Sequence, residues 1–315
     1  MSLCSCAVSL NNTGSPTCSP IMGVAANFYL VPLIADDGTY NYIDPSATFN
    51  DAYFTAKFNN ADDSKRWYPT GALKNVGGER ADPILETFED GSSVFIRDGI
   101  RNFTAMIIKG SFELAKQFNS NRCSTFGMYI IDTDGNILGT TKGTDGFLYP
   151  IMVDAATFYA KPVFTTDTTI QKIMLQGQWD VLQKDDYLRM ISASSITASG
   201  LPSAKGLMDL YCTIVSTGQT AMVIDIFAKF GSIVTNYPVE GLLTVDLASS
   251  DSGVASKIYN VTDDADIAAT LAEGTQPGRY VIAYSSQTVS DVLQPYIKKN
   301  GLDGFTMIGT EGTVV

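Results

Sequence analysis

The sequence predicts a mainly β fold with one or two helices packed on it, and three observations carry that reading. Two Asp-Gly dipeptides, Asp90-Gly91 and Asp98-Gly99, stand eight residues apart between β-prone runs in the stretch from Asp82 to Ile108. Asp-Gly readily adopts the positive φ values of two-residue hairpin turns, so each can reverse a strand and the stretch reads as a three-strand meander. Short runs of Val, Ile, Tyr and Phe recur between Gly, Asn, Asp and Pro clusters along the chain, whereas helical spacing is confined to two short segments.

From the N-terminus, residues 1–20 are rich in Ser, Asn, Gly, Pro and Cys without a sustained period and read as a flexible arm. Gly23 to Ile34 is strand-like up to Pro32 and is broken by Asp36-Asp37-Gly38, and Asn50 to Phe58 reads as a further short strand. Asn59 to Gly78 reads as a long polar loop carrying Trp67 and Tyr68, of a length that in compact domains is usually functional or interfacial. In Ser111 to Asn121, Phe112, Ala115 and Phe118 share one helical face, Ser111 suits the N-cap and Glu113 the first turn. Phe126 to Ile131 and Ile137 to Thr140 flank Asp132-Thr133-Asp134-Gly135-Asn136 as a hairpin, and strands follow at 157–164, 169–179, 207–215 and 220–229. Asn236-Tyr237-Pro238 marks the expected domain boundary, separating residues 21–235 from 239–315. Beyond it lie short β-prone segments at 242–247, 257–261, 279–285 and 306–308, with a helix expected where Thr262 precedes DDADIAATLAE and Gly274 follows. The layout of this last part resembles a small immunoglobulin-like sandwich, without the Cys-Trp-Cys framework.

Composition narrows the function classes. Charged residues make up only 17% of the chain, under the roughly 25% of an average domain, so much of the surface is either uncharged polar or covered by partners. The net charge is −12: residues 1–56 carry −4, 57–122 carry +1, 123–239 carry −3 and 240–315 carry −6. Tight nucleic-acid binding needs clustered Lys and Arg to release phosphate counterions, which this balance argues against. There is no histidine, which removes Ser-His-Asp and Cys-His catalysis, the usual zinc sites and imidazole pH switching. Cys4, Cys6, Cys18, Cys123 and Cys212 form an odd set in a chain too large to need disulfide staples, and free thiols in a reducing cytoplasm are the expectation. MSLCSCAVSLNN lacks the basic and apolar regions of a signal peptide, and no run is long enough to span a membrane as a helix.

No motif for catalysis stands out. Asp132, Asp134 and Asn136 have calcium-loop spacing at first sight, but Gly135 falls at the fourth position and Gly143 at the twelfth, so a hairpin turn is the better reading. Glu86 and Glu89 read as solvated strand edges, and Asp263, Asp264 and Asp266 as complements to a helix N-terminus. Phosphate-loop, dinucleotide and nucleophile-elbow patterns are missing. The expectation is therefore a protein that is not an enzyme and takes no cofactor. Trp67 and Tyr68 read as an anchor packed on the fold or on a neighbouring subunit. The register of the second turn would pair Arg97 with Ile100 and Ile96 with Arg101, placing Arg97 and Arg101 on opposite faces of the ribbon with at least one available to an acidic partner surface.

The run KRWYPTGALKNVGGERADPILETFEDGSSVFIRDGIRNFTAMI, Lys65 to Ile107, resembles a segment of the tail tube (major tail) proteins of long-tailed bacteriophages, with weaker β-rich agreement to about residue 235. That resemblance implies a β-sandwich or barrel tube domain at 21–235 with a flanking α-helix. It further implies a homo-oligomer of hexameric rings stacked into a tube through which DNA passes without tight binding. Other tail proteins would be partners and no membrane would be involved. The protein would belong to the virion tail after assembly in the host cytoplasm, with Trp67, Tyr68, Arg97 and Arg101 as candidate subunit contacts. Residues 239–315 would then form an outward, dispensable sandwich. A capsid decoration or head-tail connector protein stays open as an alternative, and a surface adhesin behind it.

Overall fold

A computed structural model describes residues 21–60, 62–228, 237–238, 255–299, 302–303 and 311–315. The arm at 1–20 with Cys4, Cys6 and Cys18, and the strands expected at 242–247 and 306–308, lie outside the described residues. The chain is mainly β, with 48% strand and 12% helix, and one sheet is nearly closed in the manner of a barrel.

The first sheet is built from β1 (Ala25–Pro32), β2 (Tyr68–Pro69), β3 (Lys74–Gly77), β6 (Asn102–Ile108), β7 (Phe126–Asp132), β8 (Ile137–Thr140), β9 (Ile151–Val163), β10 (Lys172–Trp179) and β11 (Leu188–Ile191), while β4 (Ile84–Thr87) and β5 (Ser93–Arg97) form a separate two-stranded ribbon. Strand β7 is the hub. It pairs with β1 from Asn27↔Ile131 to Pro32↔Phe126 and also with β9 and β8, through Met128↔Ile151 and Ile131↔Ile137. The sheet continues from β9 through β10 and β6 to β3. The segment entering β3 returns to β1 by hydrogen bonds from Thr70 N to Phe28 O (2.9 Å) and from Leu73 N to Ala26 O (2.7 Å).

Period-two alternation turns one face of each strand inward. Phe28 and Leu30 of β1, Phe103, Ala105 and Ile107 of β6, Phe126 and Met128 of β7, and Ile173, Leu175 and Trp179 of β10 meet in one core with Phe158 of β9. The helix α2 (Phe112–Ser120) adds Ala115 and Phe118 to that core, its N-cap Ser111 accepting from Leu114 N at 3.1 Å. Asn119 of α2 acts as a backbone surrogate for β9, donating to Ala160 O at 2.9 Å and accepting from Ala160 N at 2.8 Å.

The opposite faces of β1 and β7 are buried too. Tyr29, Val31, Tyr129 and Ile131 pack against Ile43, Phe49, Trp67 and Phe54 in a second core. This layer holds α1 (Asp51–Phe58), where the sequence reading expects a strand. Asn50 decides the outcome: its side chain accepts from Tyr53 N at 2.9 Å, Asp51 sits in the first turn and Lys57 in the last, which is N-capping and dipole complementarity. Asn27 is fully buried within the same layer, satisfied by Leu201 O, Ala204 O and the Thr70 hydroxyl. The Asp132–Asn136 turn is a hairpin connection. Burial pushes the Asp132 pKa up, but hydrogen bonds from Asn136, Gly23 and Asp134 outweigh it and hold the carboxyl below its ordinary value.

The second sheet contains β12 (Met208–Asp209), β13 (Tyr211–Thr217), β14 (Ala221–Ala228), β15 (Tyr237–Pro238), β16 (Ala255–Asn260), β17 (Ala265–Glu273), β18 (Arg279–Tyr284), β19 (Val292–Lys299), β20 (Leu302–Asp303) and β21 (Gly312–Thr313). Its core joins Met222, Ile224 and Ile226 of β14 to Tyr280 and Ile282 of β18, Ile258 of β16 and Leu293 of β19. The helix expected after Thr262 is instead β17, paired with β16 and β18. Ile267, Ala269 and Leu271 satisfy a two-residue period as well as a helical one, and the partially buried positions follow the former. Asn260 is fully buried and donates from its side chain to Asp263, Gln287 and Asp291, which ties the β16–β17 turn to the loop before β19.

The sheets divide between Ile191 and Met208 rather than at residues 236–238. Strand β14 pairs with β18 from Ala221↔Ala283 to Asp225↔Arg279, and Asp225 takes a bidentate hydrogen bond from Arg279 at 2.7 and 2.8 Å. A cut at 239 therefore splits a sheet.

Two expected outcomes follow from this packing. A chain ending at Leu207 should retain cooperative unfolding, whereas one ending at Pro238 should expose Met222, Ile224 and Ile226 and aggregate, as read by circular dichroism and size-exclusion chromatography. Phe158→Ala removes a ring in contact with Phe103, Phe118 and Phe126 and should cost about 3–5 kcal/mol in a denaturant titration, as large-to-small core substitutions do.

Candidate functional site

The chain leaves the barrel between β3 and β6 and projects as the β4–β5 ribbon, and every residue from Ala81 to Asp98 is exposed. The strands pair through Leu85↔Phe95, Glu86↔Val94 and Thr87↔Ser93, with a bulge before Ile84↔Arg97. At the tip, Gly91 N donates to Phe88 O at 2.9 Å, Phe88 N donates to Ser92 O at 2.8 Å, and Gly91 has φ of 82°. Only glycine takes that left-handed backbone without strain. The Asp90 carboxylate accepts from the hydroxyl and amide of Ser92, which lower its pKa.

The second Asp-Gly is not a turn. Strand β6 pairs with β10 and β3 instead of β5, so the stretch is a ribbon plus a barrel strand and not a three-strand meander. Gly99 is needed for close approach: an added Cβ would lie 1.9 Å from Ala81 O. The two legs of the ribbon are stitched there by Ala81 N to Ile100 O at 2.9 Å and by Arg80 Nη1 to Gly99 O at 2.8 Å.

The ribbon carries apolar side chains in water. Ile84, Leu85, Phe88, Val94, Phe95 and Ile96 are 40–56% exposed. An isolated two-stranded hairpin is marginal in water unless something packs on it, and contiguous exposed apolar surface of this kind marks interaction sites.

A charged anchor holds its root. Arg80 donates to both Asp185 oxygens at 2.9 Å and to Gln183 O at 3.0 Å, while Arg101 Nη2 reaches Asp185 Oδ2 at 2.9 Å. The Arg80 hydrogen bonds, followed by those of Arg101, hold the Asp185 carboxyl below its ordinary pKa against the opposing effect of burial. The Arg101 guanidinium also lies 4.6 Å from the Trp179 ring centre, a cation–π contact. Beside this anchor is a cleft of about 250 Å³ lined by Phe95, Arg97, Arg101, Trp179, Lys184 and Asp180 among others. Arg101 Nε and Trp179 Nε1 are enclosed without an acceptor, and each such buried donor carries a penalty of about 1–3 kcal/mol.

The residues expected as subunit contacts separate in space. Trp67 is 1% exposed in the outer core among Tyr29, Phe54 and Tyr129, so it offers no surface. Tyr68 is half-buried in β2 and its hydroxyl donates to Asp63 O. Arg97 is exposed on the cleft, while Arg101 is engaged with Asp185 and Trp179. Sequence reasoning missed Arg80, Trp179, Lys184 and Asp185. Asp185 lies 105 residues from Arg80 and 84 from Arg101, a separation that no local pattern reports. Among the described residues, no three His, Cys, Asp or Glu come together to hold a metal.

Asp185→Asn tests the anchor. Asp185 is 38% exposed at its side chain, so hydrogen bonds to charged groups must be discounted for solvent, leaving about 1–2 kcal/mol. A lowered folded-state pKa contributes stability above the unfolded value near 4 and loses it as pH falls through the folded value. The melting temperature of Asp185→Asn should therefore lie below that of the native chain at pH 7, with the gap closing below about pH 4.

No protein-family model matches this chain, and no curated protein matches it.

Proposed function

We propose that this chain is a structural virion protein, a subunit of the tail tube of a long-tailed bacteriophage, which oligomerises into stacked hexameric rings that conduct DNA. The single observation that carries the reading is the β4–β5 ribbon, exposed throughout and carrying six large apolar side chains in water. The resemblance of Lys65 to Ile107 to tail tube proteins falls on the same residues. In this reading, α2 is the helix flanking the tube domain, and the second sheet is an outward sandwich of immunoglobulin-like layout.

Energetics favour a repeated contact over a single pair. Full burial of one large apolar side chain contributes about 1.5–3 kcal/mol, and six side chains already half covered would contribute on the order of 5 kcal/mol. Association costs an estimated 4–15 kcal/mol. One ribbon docked once is therefore marginal, whereas a closed ring gives every subunit two such contacts and removes the open ends. The acidic balance, −12 overall, suits a conduit along which DNA slides without counterion-releasing contacts. Assembly with other tail proteins in the host cytoplasm, away from any membrane, completes the reading.

Electron microscopy of the purified chain tests it. Tubes of stacked rings are the expected outcome, and Leu85→Ser with Phe95→Ser should abolish them while leaving far-ultraviolet circular dichroism unchanged. Isolated rings or shells would favour a connector or capsid decoration protein instead. A native chain that stays monomeric at high concentration, or a double variant that still polymerises, would overturn the assignment.

A further inference from the structure

The cleft at the root of the ribbon combines features that apolar docking does not explain. Its lining brings four cations, Arg80, Arg97, Arg101 and Lys184, against Asp98 and Asp180, with Asp185 bonded to Arg80 and Arg101 behind them. Four positive against three negative charges leave the cleft at +1 on a chain of −12. Asp185 occupies Arg80 and Arg101. Arg97 and Lys184 make no ion pair or side-chain hydrogen bond among the described residues, and both are exposed. Around them the walls are apolar: Phe95, Ile100 and Trp179 line the cleft, and Val181 at its edge is 72% exposed.

We infer that this cleft is a receptor for a carboxylate carried on an apolar stem, the acidic side chain of a second copy of this chain. Arg97 presents a planar fork suited to a carboxylate, Lys184 supplies a second cation, and the aromatic walls cover the aliphatic stem. Arg101, stacked on Trp179 and paired with Asp185, forms the floor on which these two cations stand. Charge complementarity identifies the occupant. Residues 57–122, which hold Arg80, Arg97 and Arg101, are the one segment that is not net acidic, whereas 123–239 and 240–315 carry −3 and −6. A copy of the chain therefore offers the cleft many more acids than bases. The inference rests on the reading of the chain as self-assembling. It adds that the contact at the ribbon root is ionic and specific where the ribbon itself is apolar.

Two measurements test it. In the first, 3-phenylpropionate, a carboxylate on an apolar stem, and its uncharged amide are titrated by calorimetry into the Leu85→Ser chain, which keeps Phe95 in the cleft wall, at a protein concentration where sedimentation shows monomer. The acid should bind and the amide should not, and Arg97→Glu with Lys184→Glu should abolish binding while Arg97→Lys with Lys184→Arg retains it. Equal binding of acid and amide, or binding unchanged by the charge reversal, overturns the site. In the second, the concentration at which the otherwise native chain polymerises is followed by sedimentation. The charge-reversed double variant should need at least tenfold more protein, and the native chain should lose its advantage as salt rises. Unchanged polymerisation overturns the second copy as occupant. A native chain that never polymerises but binds the acid sinks the self-assembly reading and the occupant together, leaving a carboxylate site for another partner.

Discussion

The β1–β7 pair is buried on both faces, and the rest of the barrel-like sheet depends on it. On one side Phe28, Leu30, Phe126 and Met128 fill the barrel; on the other Tyr29, Val31, Tyr129 and Ile131 meet the α1 layer. A strand pair in that position cannot slip by one residue without exchanging its two faces between cores of different shape. Its register therefore sets where β9 and β10 continue the sheet and where β3 returns to close it. Small residues keep this closure tight. A Cβ at Gly127 would meet Ile151 O at 2.7 Å, so the hub strand approaches its neighbour more closely than any side chain allows.

Closure has a consequence for the ribbon. Strands β3 and β6 are neighbours in the barrel, yet more than twenty residues separate them, and the intervening chain must leave the sheet and come back. The excursion is held by polar groups at its base: Arg80 and Arg101 converge on Asp185, and Gly99 lets the two legs touch. Above that base no buried side chain supports it. Stability near the root and apolar exposure beyond it are what an element that completes its packing against another molecule requires.

Two kinds of contact thus stand side by side in the proposed assembly. Apolar faces of the ribbon supply non-directional attraction, whereas Arg97 and Lys184 at its foot select a charge and an orientation. Electrostatic complementarity contributes specificity and register more than raw affinity. The division of labour suits a subunit that has to find one arrangement among many copies of itself.

Local chemistry was legible in the sequence at several places where it was self-contained. The Ser111 cap and the Phe112, Ala115, Phe118 face identified α2, the apolar run before Pro32 identified β1, and Asp90-Gly91 identified the ribbon turn, because neighbours in the chain supply all the partners those features need. At α1 the strand reading overlooked the local Asn50 cap, whereas at β17 two periods fitted equally and the flanking strands decided, and strand pairing is a tertiary fact. The sheet boundary was hidden for the same reason, since β14 reads as a strand in either sheet until β18 pairs with it. At the candidate site the sequence by itself determined an apolar ribbon with arginines near its foot. Only the tertiary structure decided which arginine is free, because Asp185 and Trp179, distant in the chain, occupy Arg101 and leave Arg97 facing the cleft.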